Sequence, residues 1–148
     1  MNSSKTFNEV ILYLEKIIPD GCEIDYHEIS GIVMSPAALF QRIFNFISGI
    51  SISDYVRKRR LTLAGYDLKN TDISVLDAAV KYGFQSHSSF SRAFKEHHGI
   101  TPSQARLKNV RLNDYLPINF SDMRFVGGKR IMAEMKCIIY KDTPERLM

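Results

Sequence analysis

Apolar residues recur at helical spacing through roughly the first hundred positions of the chain. Phe7, Val10, Ile11, Leu14, Ile17 and Ile18 line one face of a first helix, which Pro19-Asp20-Gly21 ends. Asp25 followed by Glu28 has capping-box spacing and opens a short helix to about Ile32. Ser35-Pro36 supplies a cap and a proline at the first helical position, and glycine stops that helix at Ser48-Gly49. Ser51 with Asp54 caps a longer helix carrying Tyr55, Val56, Leu61, Leu63, Ala64 and Leu68, and Asn70-Thr71-Asp72 breaks it. Ser74 with Asp77, and then Ser86, cap two more helices that end at Tyr82-Gly83 and His98-Gly99. Thr101-Pro102 with Gln104 starts a last short helix. From Ile118 to Tyr140 apolar residues alternate instead, and two runs around Gly127-Gly128 predict a β-hairpin.

Within this helical stretch lies an internal repeat. Phe40-Gln41-Arg42-Ile43-Phe44 and Phe90-Ser91-Arg92-Ala93-Phe94 share F-x-R-x-F, 50 positions apart. Each sits in a capped helix preceded by a short helix and a tight turn, the arrangement of a helix-turn-helix. The helical period divides each segment into two faces. Phe40, Ile43, Phe44 and Ile47 can pack inward, while Ala38, Gln41, Arg42 and Asn45 follow the i, i+3, i+4, i+7 rule on another face. The second copy sends Phe90, Ala93 and Phe94 inward and keeps Ser88, Ser91, Arg92 and Lys95 on an outer stripe, with His87 near its N-terminal end. Arginine and glutamine make paired hydrogen bonds to base edges, and the major groove of DNA accepts one such helix.

Charge strengthens this reading. The net charge of the 148 residues is +4, but residues 1–50 carry −3, residues 51–110 carry +5 and residues 111–148 carry +2. The basic character peaks at Arg57-Lys58-Arg59-Arg60, and such a patch favours a polyanion because phosphate contacts release condensed counterions. The two cysteines, Cys22 and Cys137, form no metal-ligand cluster, and no apolar run approaches the roughly 18–20 residues of a membrane span. His27, His87, His97 and His98 accompany no nucleophile, paired carboxylates or phosphate-cradling loop, so no catalytic residue, metal or cofactor is expected. A cytoplasmic, non-enzymatic protein follows.

Residues 7–106 resemble the AraC/XylS-type DNA-binding domain. Ala79-x-x-x-Gly83-Phe84, Phe90-x-Arg92-x-Phe94-Lys95, Gly99, Thr101-Pro102 and Arg106 carry the resemblance in the second repeat. Gly49-x-Ser51, Tyr55-Val56, Arg60-Leu61 and Ala64 carry it in the middle. The resemblance implies a mainly α domain over 1–108, with two three-helix helix-turn-helix subdomains (about 7–49 and 72–106) joined by a long linker helix (about 51–68). It implies a bacterial transcriptional regulator, an activator, that binds double-stranded DNA and meets RNA polymerase. The resemblance implies base contacts from Ala38, Gln41 and Arg42 in the first recognition helix and His87, Ser88 and Arg92 in the second, and the outward faces add Asn45 and Ser91 as candidates. Phosphate contacts are expected from Ser35, Arg57, Lys58, Ser86, Lys95 and Thr101.

The first unit departs from the family pattern. Pro36 stands where the family places a serine, Met34 where it places a glycine, and Ser35 lies one position early. A remodelled first turn and a dominant second unit are therefore expected. The tail resembles, around Leu116-Pro117-Ile118 and Met132 to Tyr140, the entry into a gyrase-inhibitor-like effector domain. Residues 109–148 then read as a linker and the truncated start of a β-rich effector-binding domain, since about 40 residues cannot build an independent core. A small-molecule effector would need the full domain, and an unpaired hairpin edge would favour a homodimer.

Overall fold

The structure, a computed structural model, describes residues 3–107 and 109–120. These residues form six α-helices and one 3-10 turn, with no strand among them. The helices are α1 (Ser3–Ile17), α2 (Tyr26–Val33), α3 (Ala37–Ser48), α4 (Ile52–Asn70), α5 (Val75–Lys81) and α6 (His87–His98), and the 3-10 turn is Gln104–Arg106. The expected hairpin at 118–140, apart from its first three residues, lies outside the described residues. The final helix expected after Thr101 is the 3-10 turn. Contacts divide the described residues into two compact units: 3–13, 25–52 and 118–120, and 14–24, 53–107 and 109–117.

The first unit is held by tilted and edge-on aromatic contacts. Phe7 of α1 lies 4.9 Å from Phe40 of α3 and 4.9 Å from Phe120, and Phe44 lies 5.6 Å from Phe120 (ring centroids). All four rings are buried, together with Val10, Ile11, Ile29 and Ile43. Burial of one such ring contributes about 1.5–3 kcal/mol, and paired rings add about 0.5–1.5 kcal/mol beyond their area. Phe120 is a core residue that the helical pattern could not announce, since it stands alone at the end of an extended stretch. Its backbone N–H donates to the Asn8 side chain at 2.9 Å.

Asp25 caps α2 as its spacing predicts, accepting from the N–H groups of His27 (2.9 Å) and Glu28 (3.4 Å). The turn between α2 and α3 differs from expectation. Met34 adopts the left-handed conformation (φ 57°, ψ 37°) and its N–H bonds the Ser30 carbonyl at 2.9 Å, so it performs the glycine's conformational role. It is the only non-glycine with positive φ among the described residues. Ser35 is not the cap of α3. Pro36 takes that position without a side-chain bond, while the Ser35 carbonyl accepts from the Ser30 hydroxyl at 2.7 Å.

In the second unit α4 packs on α5 and α6 through Leu61, Ala64, Leu68, Ala78, Ala79, Tyr82, Phe90, Ala93, Phe94 and Ala105. Gly65 lets α6 approach closely: a Cβ there would stand 3.1 Å from His98 Nε2. The loop after α1 meets the α5–α6 turn backbone to backbone. A Cβ on Gly21 would lie 2.5 Å from the Lys81 carbonyl oxygen, and one on Gly83 would lie 2.8 Å from the Gly21 carbonyl oxygen.

Residues 110–115 lie against α4 and α6. Lys69 Nζ donates to the Val110 carbonyl (2.7 Å), Asn113 Nδ2 to the His97 carbonyl (3.1 Å), Tyr66 to Asp114 (2.9 Å), and the Tyr115 N–H to Thr62 Oγ1 (2.9 Å).

Met34 is 80% exposed, so its replacement costs no core packing. Met34→Gly relieves the left-handed strain but adds freedom to the unfolded chain, leaving a net gain of about 0.5–1 kcal/mol. The expected result is a higher urea midpoint at unchanged slope; a lower midpoint would show that Met34 bears no strain.

Candidate nucleic-acid interface

The repeat seen in the sequence is a repeat of structure. α3 and α6 are each 12 residues long, and each ends on a left-handed glycine, Gly49 (φ 75°) and Gly99 (φ 78°). In both, the glycine N–H bonds the carbonyl four residues back at 2.8 Å, that of Asn45 or Lys95. Phe40 and Phe44 are buried in α3, as are Phe90 and Phe94 in α6, with ring pairs 6.1 and 5.6 Å apart. Burying that stripe turns the opposite stripe to solvent.

On α3, Ala38, Arg42 and Asn45 are exposed and Gln41 is half-buried. On α6, His87, Ser88, Arg92 and Lys95 are exposed, and half-buried Ser91 places its hydroxyl 3.5 Å from His87 Nδ1. Each set of base-contact candidates thus occupies one outward helix face, with a single cation on α3 and two on α6.

The two N-termini differ. Ser86 forms a full capping box with Ser89: the Ser86 hydroxyl accepts from the Ser89 N–H at 3.0 Å, and the Ser89 hydroxyl accepts from the Ser86 N–H at 3.3 Å. Thr101 and Gln104 make the equivalent exchange, with the Thr101 N–H donating to Gln104 Oε1 at 2.9 Å and the Gln104 N–H to Thr101 Oγ1 at 3.3 Å. Ser35 offers no comparable arrangement, its carbonyl being committed to Ser30.

The basic run on α4 separates into two pairs of unlike function. Arg59 pairs with Glu15 at 2.7 Å and donates to the Tyr115 carbonyl at 2.6 Å. Arg60 donates to the carbonyls of Ile18 (3.3 Å), Ile17 (3.4 Å) and Cys22, satisfying acceptors at and beyond the C-terminal end of α1. Both are structural. Arg57 and Lys58 face solvent, with Lys58 Nζ 5.3 Å from the centre of the Tyr115 ring and Arg57 3.6 Å from Glu96 of α6. The sequence pattern gave no sign of the Arg57–Glu96 pair, because i, i+4 logic does not reach between helices.

His97 and His98 diverge as adjacent helical residues must. His98 is buried, with Nε2 2.8 Å from the Leu61 carbonyl and Nδ1 accepting from the Asn113 N–H at 3.0 Å. A carbonyl demands a donor and an N–H demands an acceptor, which assigns the neutral tautomer with its proton on Nε2. Burial pushes the His98 pKa below the usual histidine value, and burial with the neighbouring His98 does the same to His97. His98 thereby ties α6 to Leu61 of α4 and to Asn113. Among the described residues no group of three or more His, Cys, Asp or Glu could hold a metal ion. None of their helices is long and apolar enough to cross a membrane.

Two helix-turn-helix elements, each with an outward polar face, define a protein of the helix-turn-helix class. A family model described as a helix-turn-helix domain matches residues 33–108. The chain is 42% identical over 76 residues to the transcriptional activator AarP of Providencia stuartii, covering 51% of this chain and 56% of AarP. It is 29% identical over 110 residues to the regulatory protein SoxS of Escherichia coli strain K12, covering 72% of this chain and 97% of SoxS. Among solved structures, an AraC-type transcriptional regulator from Chromobacterium violaceum superposes with TM-score 0.63 at 25% identity, covering 70% of this chain and 91% of that one. The C-terminal domain of the response regulator AraT from Geobacillus stearothermophilus shares the fold, with TM-score 0.61 at 21% identity over 72% of this chain and 87% of its own. The chain belongs to the AraC-type helix-turn-helix family. It spans about half the length of the first curated relatives it matches.

The depressed histidines give the second unit a pH dependence. Below a pH of about 6.5 the unfolded chain takes up protons that the folded His97 and His98 refuse. Their stabilising contribution is therefore full above that pH and falls as the pH drops through it toward the folded values. The urea midpoint is expected to be lower at a pH of about 5.5 than at about 7.5, and the doubly substituted His97→Gln, His98→Gln chain should lose most of that difference. An unchanged difference in the double variant would assign it to other groups.

Proposed function

We propose that the protein is a sequence-specific DNA-binding transcriptional activator, and that α3 and α6 each enter a major groove. The observation that carries this is the matched pair of helices, alike in length, C-terminal cap and buried aromatic pair, each turning arginine and small polar residues outward. A fold stabilised only for itself has no need to build the same exposed stripe twice. The family membership and the printed names of AarP and SoxS as activator and regulator support the same reading.

In this reading Arg42 and Gln41 on α3, and Arg92 with His87, Ser88 and Ser91 on α6, read base edges, with Ala38 and Asn45 completing the α3 face. Lys58, Lys95 and the capped N-termini at Ser86 and Thr101 meet phosphates, and Ser35 is the weakest of that group. The 19-residue α4 connects the two readers. α6 is the stronger one, having a full capping box and more cations. The setting is the bacterial cytoplasm, and RNA polymerase is the second partner. A homodimer through the C-terminal segment, and a small-molecule effector if a full C-terminal domain exists, are further partners in this reading.

Selection of bound sequences from a random duplex pool should yield two conserved blocks about one helical turn apart. On the selected site Arg92→Ala is expected to weaken binding by about 1–3 kcal/mol and relax preference in one block, and Arg42→Ala to cost less. Binding that weakens with salt equally for every sequence would overturn specific reading, and a larger loss at Arg42 would reverse the ranking.

A further inference from the structure

Arg57 and Glu96 meet across the cleft between α4 and α6, which Phe84, Ser89, Arg92 and Ala93 also line. Arg57 is a cation of the basic run left facing solvent, and its guanidinium approaches a carboxylate of the recognition helix itself at 3.6 Å. Glu96 is also one helical turn beyond Arg92, on the same side of α6. A carboxylate beside the principal base-reading arginine works against an approaching polyanion, and nothing in the packing requires it, since its side chain is 67% exposed. The contact is a single Nη2–Oε2 ion pair, longer than a hydrogen bond, and a carboxylate offers arginine the same kind of anionic acceptor oxygens as a phosphate does.

We infer that Glu96 is a specificity determinant that acts as an internal substitute for a DNA phosphate. It occupies Arg57 in the free protein, so the contact of Arg57 with the DNA backbone requires an exchange of partners. In a complex with arbitrary sequence, phosphate contacts supply essentially all of the binding and their positions shift as the protein slides. The exchange is then poorly rewarded. Base contacts from α6 fix the register, hold a phosphate within reach of Arg57, and let it replace Glu96. The pair thus withholds one sequence-independent contact until the sequence has been read. This inference rests on the DNA-reading function proposed above.

Binding of E96Q and the wild-type chain to the selected site and to a scrambled duplex, across a salt series, tests it. E96Q is expected to tighten binding to the scrambled duplex about three- to tenfold and to steepen its salt dependence by about 0.9 in log–log slope, the signature of one further phosphate contact. Affinity for the selected site should rise less, so discrimination falls. E96D keeps the charge and should keep the wild-type slope. In an R57Q background E96Q should leave the slope unchanged, since no cation is released. A slope unaffected by E96Q, or a steepening that survives R57Q, would overturn the inference while leaving sequence-specific binding intact. A wild-type chain that failed to distinguish the selected site from the scrambled one would overturn the DNA-reading function as well. Equal melting temperatures of the variants confirm that folding is not what changes.

Discussion

Everything outward-facing in this protein depends on which side chains are forced inward. Phe40 and Phe44 on α3, and Phe90 and Phe94 on α6, are spaced four apart and buried, and one helical turn between two anchored rings leaves the helix no rotational freedom. The polar stripe is therefore aimed by the apolar one. In the proposed function that stripe reads base edges, which tolerates little angular error because paired hydrogen bonds to a base edge are directional. A rigid aromatic anchor is the economical way to meet that demand on a helix of 12 residues, which in isolation would be marginally stable in water.

Most of this was legible in the sequence because it is local. The helices, the caps at Asp25, Ser74 and Ser86, the stop at Gly99 and the inward aromatics all follow from spacing within one or two turns. What escaped is what depends on distant parts of the chain. Glu96 and Arg57 are 39 positions apart, Asn113 and His98 are 15, and Phe120 reaches the Phe7 ring across more than a hundred. The first turn departs from its expected path for a different reason. A methionine at a glycine position suggests a different backbone, but the surrounding helices fix the path and Met34 accepts a strained conformation.

The basic run of α4 shows why charge counted along a sequence overstates charge offered to a ligand. Arg59 and Arg60 spend their hydrogen bonds on Glu15 and on carbonyls near the end of α1, where a planar fork with several donors serves better than a lysine. These partners also keep the run from repelling itself, since Arg59 and Arg60 have part-buried or backbone acceptors and Arg57 has Glu96 beside it. Arg57 and Lys58 are the two that stay exposed, Arg57 with Glu96 for a neighbour.

The contact between Gly21 and Gly83 has a consequence for how the sequence can drift. Each glycine is required because the other's backbone lies against it, so the two are one physical feature spread over 62 positions. Gly83 belongs to the turn of the second helix-turn-helix, whereas Gly21 belongs to a loop with no recognition residue of its own. A lineage could abandon the tight approach only by moving both loops together. Position 21 should therefore follow the history of the α5–α6 turn more closely than that of its own neighbours in sequence.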